Sequence, residues 1–314
     1  MKSLKNKSSK KVWKIIIIVL AVNLVIMFGI TKIVYDSCFP RYDAKEITIP
    51  TELTDIVENR QNVEFDSGKN TLRGYLYGDG TGEGIVVVAP GINASVDNYL
   101  WQIQSFLDYG WDVFSFDSTG SCTSEGKSAV GFSQELLDLD AALTYVENNT
   151  EYDNIFIFGH SRGGYSACGL LGSGHDITAV VSVAGINSAM EAIMQPSASK
   201  VGFVAYGNYP MLYLYQSMLF GMDVVSIQAD EQISESEVPT LIVQGVNDTT
   251  APMNESSIYS HKDEITSDCV EYYLCDTPGQ DGHTNLLFDE DGTANDALMN
   301  IINQFYSKNT AVSN

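Results

Sequence analysis

A serine stands at the centre of Gly159-His160-Ser161-Arg162-Gly163, directly after the apolar run Asn154-Ile155-Phe156-Ile157-Phe158. Glycines at that spacing predict a strand that ends in a sharp turn and enters a helix, with the Ser161 hydroxyl at the tip. A serine hydroxyl is a weak nucleophile at neutral pH, so acyl chemistry there needs a histidine within hydrogen-bond reach and a carboxylate to orient it. The chain has four histidines. His160 adjoins Ser161 and points elsewhere on a tight turn, His175 follows the next helix in a loop, and His261 is expected on a solvated helix. His283 closes Asp276-Thr277-Pro278-Gly279-Gln280-Asp281-Gly282-His283, a Pro-Gly loop just past a strand. Ligand sites of open α/β sheets gather at that edge, which makes His283 the expected base and His175 its rival. Asp248, in Gln244-Gly245-Val246-Asn247-Asp248, also follows a strand and completes the chain order Ser, Asp, His.

Acyl transfer also needs donors aimed at the developing oxyanion. The backbone N–H of Arg162 is one candidate, and that of Ile92, in Pro90-Gly91-Ile92-Asn93, is the other. The Arg162 side chain has no role in this scheme; a surface salt bridge or contact with a substrate carboxylate would account for it. With neither C-x-x-C pairs nor H-E-x-x-H, no metal site is expected. Five cysteines are too few and scattered for a disulfide scaffold. Cys269 and Cys275 bound a predicted strand, whose six extended steps would hold them roughly 20 Å apart, well beyond the span of a disulfide.

The elements that must position these residues follow a βαβ rhythm. Gly84 to Ala89 is a continuous apolar strand of the kind covered on both faces of a parallel sheet. A helix over Tyr99 to Tyr109, a strand over Asp112 to Phe116 and a helix over Ser133 to Glu147 come next. Strands at Ile177 to Val183 and Pro239 to Gln244, a helix near Asn254 to Ile265, the Cys269 to Cys275 strand and a helix from Thr293 to Tyr306 complete the pattern. This predicts a mostly parallel sheet with helices on both faces. Between about 186 and 237 the rhythm fails, and methionines and tyrosines mix with polar residues; the stretch reads as an inserted helical cap whose side chains pack on the sheet or line a cleft.

Several segments resemble the successive signatures of the α/β hydrolase superfamily: Ala89-Pro90-Gly91, Asp117-Ser118-Thr119-Gly120-Ser121-Cys122-Thr123-Ser124-Glu125-Gly126, Gly159 to Gly164, Gly245 to Asp248 and Gly282-His283. The resemblance spans about residues 60 to 307 and is greatest to the branch of serine aminopeptidases, monoacylglycerol-lipase-like enzymes and related esterases. It implies an α/β-hydrolase fold, a triad of Ser161, Asp248 and His283, the two backbone donors, no cofactor, and a cap over the site. Cys122 replaces the second glycine of the branch's D-x-x-G-x-G-x-S-x-G loop, and cysteine has fewer backbone conformations open to it. The expected reaction is hydrolysis of a carboxylic ester of modest size through an acyl-enzyme. A peptide or amide substrate comes second. A non-catalytic binding scaffold of the same fold is the reading from a different class.

Charge separates the ends of the chain. Seven of the 17 basic residues lie in the first 32 positions and no acidic residue precedes Asp36, which leaves a formal charge of −30 on the rest. Such an excess repels nucleic acid and anionic lipid headgroups, so neither is an expected partner of the domain. Residues 15 to 31 are uncharged and nearly long enough to cross a bilayer, with Trp13 and Tyr35 at the two ends. Six lysines precede this block and no A-x-A-like cleavage site follows it, which predicts a retained single-pass anchor in a cell membrane with the N-terminus cytoplasmic and the rest outside. The expected organisation is a lysine-rich tail over 1–14, an anchor over 15–35, a polar connection over 36–60 that lifts the domain off the membrane, and a hydrolase domain over 61–314. Oligomeric state is not set by any of these features.

Overall fold

The computed structural model describes residues 2–44 and 47–310. The apolar runs form one eight-stranded sheet: β1 Gln61–Ser67, β2 Asn70–Tyr77, β3 Ile85–Ala89, β4 Asp112–Phe116, β5 Ile155–His160, β6 Ile177–Val183, β7 Thr240–Gly245 and β8 Val270–Cys275. Their order across the sheet is β1-β2-β4-β3-β5-β6-β7-β8. Strand β2 runs antiparallel to both of its neighbours, and all later pairings are parallel. Every residue of β3, β4, β5 and β7 is buried, as continuous apolar strands covered on both faces should be.

The helices are α1 Lys2–Cys38, α2 Thr54–Asn59, α3 Leu100–Asp108, α4 Gln134–Asn149, α5 Arg162–Gly169, α6 Ala189–Val201, α7 Phe203–Phe220, α8 Met222–Val225, α9 Ala229–Ser234 and α10 Asp296–Asn309. Successive side chains of β3 go to opposite faces. Val86 and Val88 pack with Ile103 and Phe106 of α3 and Ile302 of α10, whereas Ile85 and Val87 pack with Leu139 and Leu143 of α4 and Tyr165 of α5. Between β6 and β7 the helices α6 to α9 form the cap-like insertion. Its core gathers Met190, Met194, Leu212, Tyr215 and Phe220 with Tyr35 and Phe39 from the N-terminal segment.

That last contact departs from the sequence reading. Tyr35, expected at a bilayer edge, is 3 % exposed, with its ring 4.8 Å from that of Phe39 and 5.4 Å from that of Tyr215. Nor does the following segment stand clear of the domain. The Arg41 guanidinium donates to the carbonyls of Ser124 and Gly126 at 3.0 and 2.7 Å, and Tyr42 exchanges backbone hydrogen bonds with Gly120 and Cys122 at 2.9 and 2.7 Å. A tight loop has carbonyls that need donors, and this segment supplies them.

Two helices also differ. Only a single 3₁₀ turn, Ile258–His261, occupies the segment expected to be helical over 254–265. The Ser257 hydroxyl accepts from the Ser260 N–H, and the Ser260 hydroxyl donates to the carbonyls of Glu255 and Ser257, so serines compete with the helix for its own backbone groups. The last helix starts three residues later than expected because Asn295 caps it, accepting from the Leu298 N–H at 3.2 Å. Cys269 and Cys275, at the ends of the β8 segment, are free thiols.

Candidate active site

Strand β5 delivers Ser161 on a strained turn. Its φ of 57° and ψ of −115° lie where non-glycine residues rarely sit, at a strain of about 1–3 kcal/mol. The neighbouring glycines make the turn possible. A Cβ at Gly159 would stand 2.2 Å from the Gly163 carbonyl oxygen, and one at Gly163 would stand 2.0 Å from that of Ala89. Helix α5 therefore lies closer to the sheet than any side chain allows. The Ser161 N–H, bonded to the Val183 carbonyl at 2.9 Å, holds the turn against β6.

The loops after β7 and β8 meet at this turn. The Ser161 hydroxyl donates to His283 Nε2 at 2.8 Å, and His283 Nδ1 donates to Asp248 Oδ2 at 2.8 Å. Asp248 Oδ1 accepts the N–H groups of Thr250 and Ala251 at 2.7 and 2.9 Å, and Gln244 Nε2 donates to Oδ2 at 3.1 Å. Burial alone would raise the Asp248 carboxyl. The bonds from His283 and the two N–H groups outweigh that and hold it below the usual carboxylate range. The two loops are tied to each other as well: Asn247 donates through its N–H and its side chain to Asp281, at 2.8 and 2.7 Å.

His160 points away from the serine, as expected, and does more than fill space. The Gly91 N–H donates to the Tyr99 hydroxyl at 2.9 Å, which leaves that hydroxyl to donate to His160 Nδ1 at 2.9 Å. His160 Nε2 then carries the proton and donates to the His283 carbonyl at 2.9 Å. Burial, and then the neighbouring His283, push His160 down to about 4, so the ring is neutral. Through it the loop after β3 is joined to the loop that carries His283.

The other two histidines have different neighbours. His175 lies between Glu147 and Asp140 at 2.9 and 3.2 Å, and those bonds raise it. His261 stands among Glu264, Glu191 and Asp230 at 3.1, 3.4 and 3.6 Å, on the 3₁₀ turn and four-fifths covered instead of solvated. Burial would lower it, and the carboxylates raise it. Ligand atoms of Asp230, His261 and Glu264 lie within 4.8 Å of one another, the one such grouping among the described residues, and Ser161 is not part of it.

Arg162 opens α5, where a first-turn N–H has no partner within the helix. Its side chain is not on the surface. The guanidinium is 1 % exposed and lies 2.6 Å from the fully buried Glu135 carboxylate of α4, because α5 packs under α4. Burial pushes Glu135 up to about 7 while Arg162 opposes it. Ile92 packs against the cap cluster, and among the described residues no hydrogen bond engages its N–H, whereas that of Gly91 is taken by Tyr99. Cys122 adopts the left-handed φ of 45° that the replaced glycine would take, held by Tyr42 and Arg41. Sequence reasoning passed over Gln244, Tyr99 and Glu135. Gln244 and Glu135 left a trace as polar residues at positions where an apolar pattern calls for burial; Tyr99 left none.

Ser161 is 6 % exposed. A concavity of about 660 Å³ opens at the opposite edge of the sheet, lined by Arg60, Tyr77, Trp111 and Asp112, and includes none of the three residues above.

Residues 80–222 match the family described as serine aminopeptidase, S33. No curated protein sequence matches the chain. Among solved structures, an esterase from Pyrococcus furiosus is similar at 18 % identity and a TM-score of 0.64, covering 86 % of this chain and 98 % of that one. An α/β hydrolase from Penicillium is similar at 17 % identity and a TM-score of 0.60, covering 80 % and 99 %. Est1E from Butyrivibrio proteoclasticus, bound to ferulic acid, is similar at 15 % identity and a TM-score of 0.55, covering 78 % and 96 %. Strand order and the serine turn after β5 give this chain the α/β-hydrolase fold, and the segment around that turn is similar to the serine aminopeptidase S33 family.

Proposed function

We propose that the chain hydrolyses a carboxylic ester through an acyl-enzyme formed on Ser161. The observation that carries this reading is the unbroken relay from the Ser161 hydroxyl through His283 to Asp248, each link 2.8 Å. His283 Nε2 takes the hydroxyl proton as Oγ attacks the acyl carbonyl, and Asp248 stabilises the imidazolium that forms. The N–H groups of Arg162 and Ile92 receive the charge developing on the carbonyl oxygen. His283 then gives its proton to the leaving alkoxide. Water, activated by the same histidine, releases the acid and restores Ser161. No residue of the relay calls for a cofactor.

We further propose that α1 crosses a membrane. Lys10–Cys38 has a mean hydropathy of 2.5 in its most apolar window, and only 6 % of that window is buried against the protein. Lysines at 2, 5, 7, 10, 11 and 14 favour a cytoplasmic amino end, with the hydrolase domain outside the cell.

The test is labelling of the full chain by a fluorophosphonate, followed by turnover of acyl esters of graded length and of aminoacyl amides. Labelling that disappears in Ser161→Ala, with faster turnover of esters, is the expected result. A folded wild-type protein that takes no label would be a scaffold. Preference for the amides would make it a peptidase.

A further inference from the structure

The cap carries a surface that the relay does not use. Helix α7 has a buried stripe, Ala205, Leu212, Tyr215, Gln216 and Phe220, that faces the rest of the protein. On its other sides, and just beyond its ends, Phe203 is 85 % exposed, Met218 68 %, Met222 65 %, Tyr206 63 %, Val204 58 % and Val201 56 %. Scattered exposed apolar residues need no explanation, but a cluster of large ones on a single helix marks an interaction surface. Charge sharpens the point. Residues 192–222 contain one charged side chain, Lys200, in a chain with 40 acidic residues.

What covers this face is indicated by its neighbour. The Thr31 hydroxyl, at the end of the uncharged part of α1, donates to Asn208 Oδ1 of α7 at 2.9 Å. Lys32 donates to the Tyr215 hydroxyl at 3.0 Å, Tyr215 donates to Asp36, and the Phe28 ring meets that of Tyr215 edge-on at 5.8 Å. The cap helix is thus fastened to α1 where its apolar segment ends. Phe203, Val204 and Tyr206 lie within five residues of Asn208, so along the helix they are within roughly 8 Å of that junction. Exposed apolar residues of α7 thus begin within about two turns of its contact with α1.

We propose that the exposed face of α7 is embedded in the surface of the bilayer that α1 crosses, so that the hydrolase domain lies on the membrane instead of standing off it. This rests on reading α1 as a membrane-crossing helix. Amphipathic helices bury their apolar face about 5–10 Å into the headgroup and acyl boundary. The segment carries none of the acidic side chains that make the domain repel anionic headgroups, its single charge, Lys200, has the opposite sign, and the Asp36 carboxylate at the junction is paired with Lys32.

Tryptophan quenching tests the placement without using catalysis. The full chain is reconstituted in vesicles of phosphatidylcholine and phosphatidylglycerol, with and without brominated acyl chains. Wild type, Trp13→Phe and the double variant Trp13→Phe/Phe203→Trp are compared, and fluorophosphonate labelling of the same samples reports on the serine separately. The emission added by Phe203→Trp should fall about twofold or more in brominated vesicles, as for a side chain at the acyl boundary. If Trp13 of the wild type is quenched and the added tryptophan is not, α1 is in the membrane and the cap is not, which overturns the proposal alone. Unquenched emission that shifts to the blue as protein density rises would mean that a second copy covers the face, and also overturns it. Quenching of neither residue would remove the membrane reading of α1 and the proposal with it.

Discussion

His160 should make this protein acid-labile in a defined window. Its ring is 5 % exposed and bonded on both sides, and burial first, then His283, lowers it from 6.5 to about 4. In the unfolded chain the same ring takes up a proton near 6.5. Between those limits the unfolded state binds more protons, so this contribution to stability falls as pH falls from about 6.5 to about 4. The displacement corresponds to about 3 kcal/mol, a large part of the 5–15 kcal/mol typical of a domain. Other groups act in the same range with the opposite sign. Glu135, Glu191 and Asp117 are raised by burial, so their contributions grow on acidification. His175 and His261 are raised, so their contributions are complete below 6.5 and lost only above it. Asp248 is lowered, and its contribution is lost only as pH falls below the ordinary carboxylate range. A difference measurement cancels these terms. His160→Gln keeps a donor for the His283 carbonyl and does not titrate. Urea unfolding of both proteins, followed by emission of the buried Trp111, should show their stability gap narrowing by about 3 kcal/mol from pH 7 to pH 4. A gap that stays constant to about 0.5 kcal/mol would show that His160 is not held neutral by its surroundings, and the linkage reasoning fails.

Three further predictions concern the turn and the relay. Asp248→Asn should lower kcat by about 10⁴-fold through the wrong His283 tautomer, while His175→Ala, whose partners are Asp140 and Glu147, should leave ester turnover near wild type; the reverse pattern would reassign the base. Gly163→Ala drives a Cβ to 2.0 Å from the Ala89 carbonyl oxygen and should cost about 1–3 kcal/mol in thermal unfolding and abolish fluorophosphonate labelling. Unchanged melting and labelling would mean that the turn relaxes freely. Arg162→Met alone leaves Glu135 buried without its cation and should cost about 3–5 kcal/mol, whereas adding Glu135→Met should restore most of that. Simple addition of the two losses would show that the residues do not act as a pair.

Much of the architecture was legible because strands buried on both faces are written as unbroken apolar runs. The β3, β4, β6 and β7 segments fall within one residue of their expected limits for that reason. Local backbone chemistry was harder to see. The 254–265 segment has enough helix-forming residues to suggest a helix, but Ser257 and Ser260 bond their own neighbours instead. The relay residues were named from residue type and from position just after a strand. Arg162 was placed on the surface because nothing in its neighbours shows that α5, allowed close to the sheet by Gly159 and Gly163, would slide under α4 and meet Glu135.

What the sequence determined by itself is therefore local and periodic: the strands, the glycines of the turn after β5, the order Ser161, Asp248, His283, and an apolar segment near the amino end. The tertiary structure decided what depends on residues far apart in the chain. It set 122 positions of separation between Ser161 and His283 to one hydrogen bond, joined Gly91 to His283 through Tyr99 and His160, and laid α1 against α7 through Thr31 and Asn208. The physical reason is that periodicity and turn chemistry act between near neighbours, whereas which buried donor meets which acceptor is settled only when the sheet order and the helix packing bring them together.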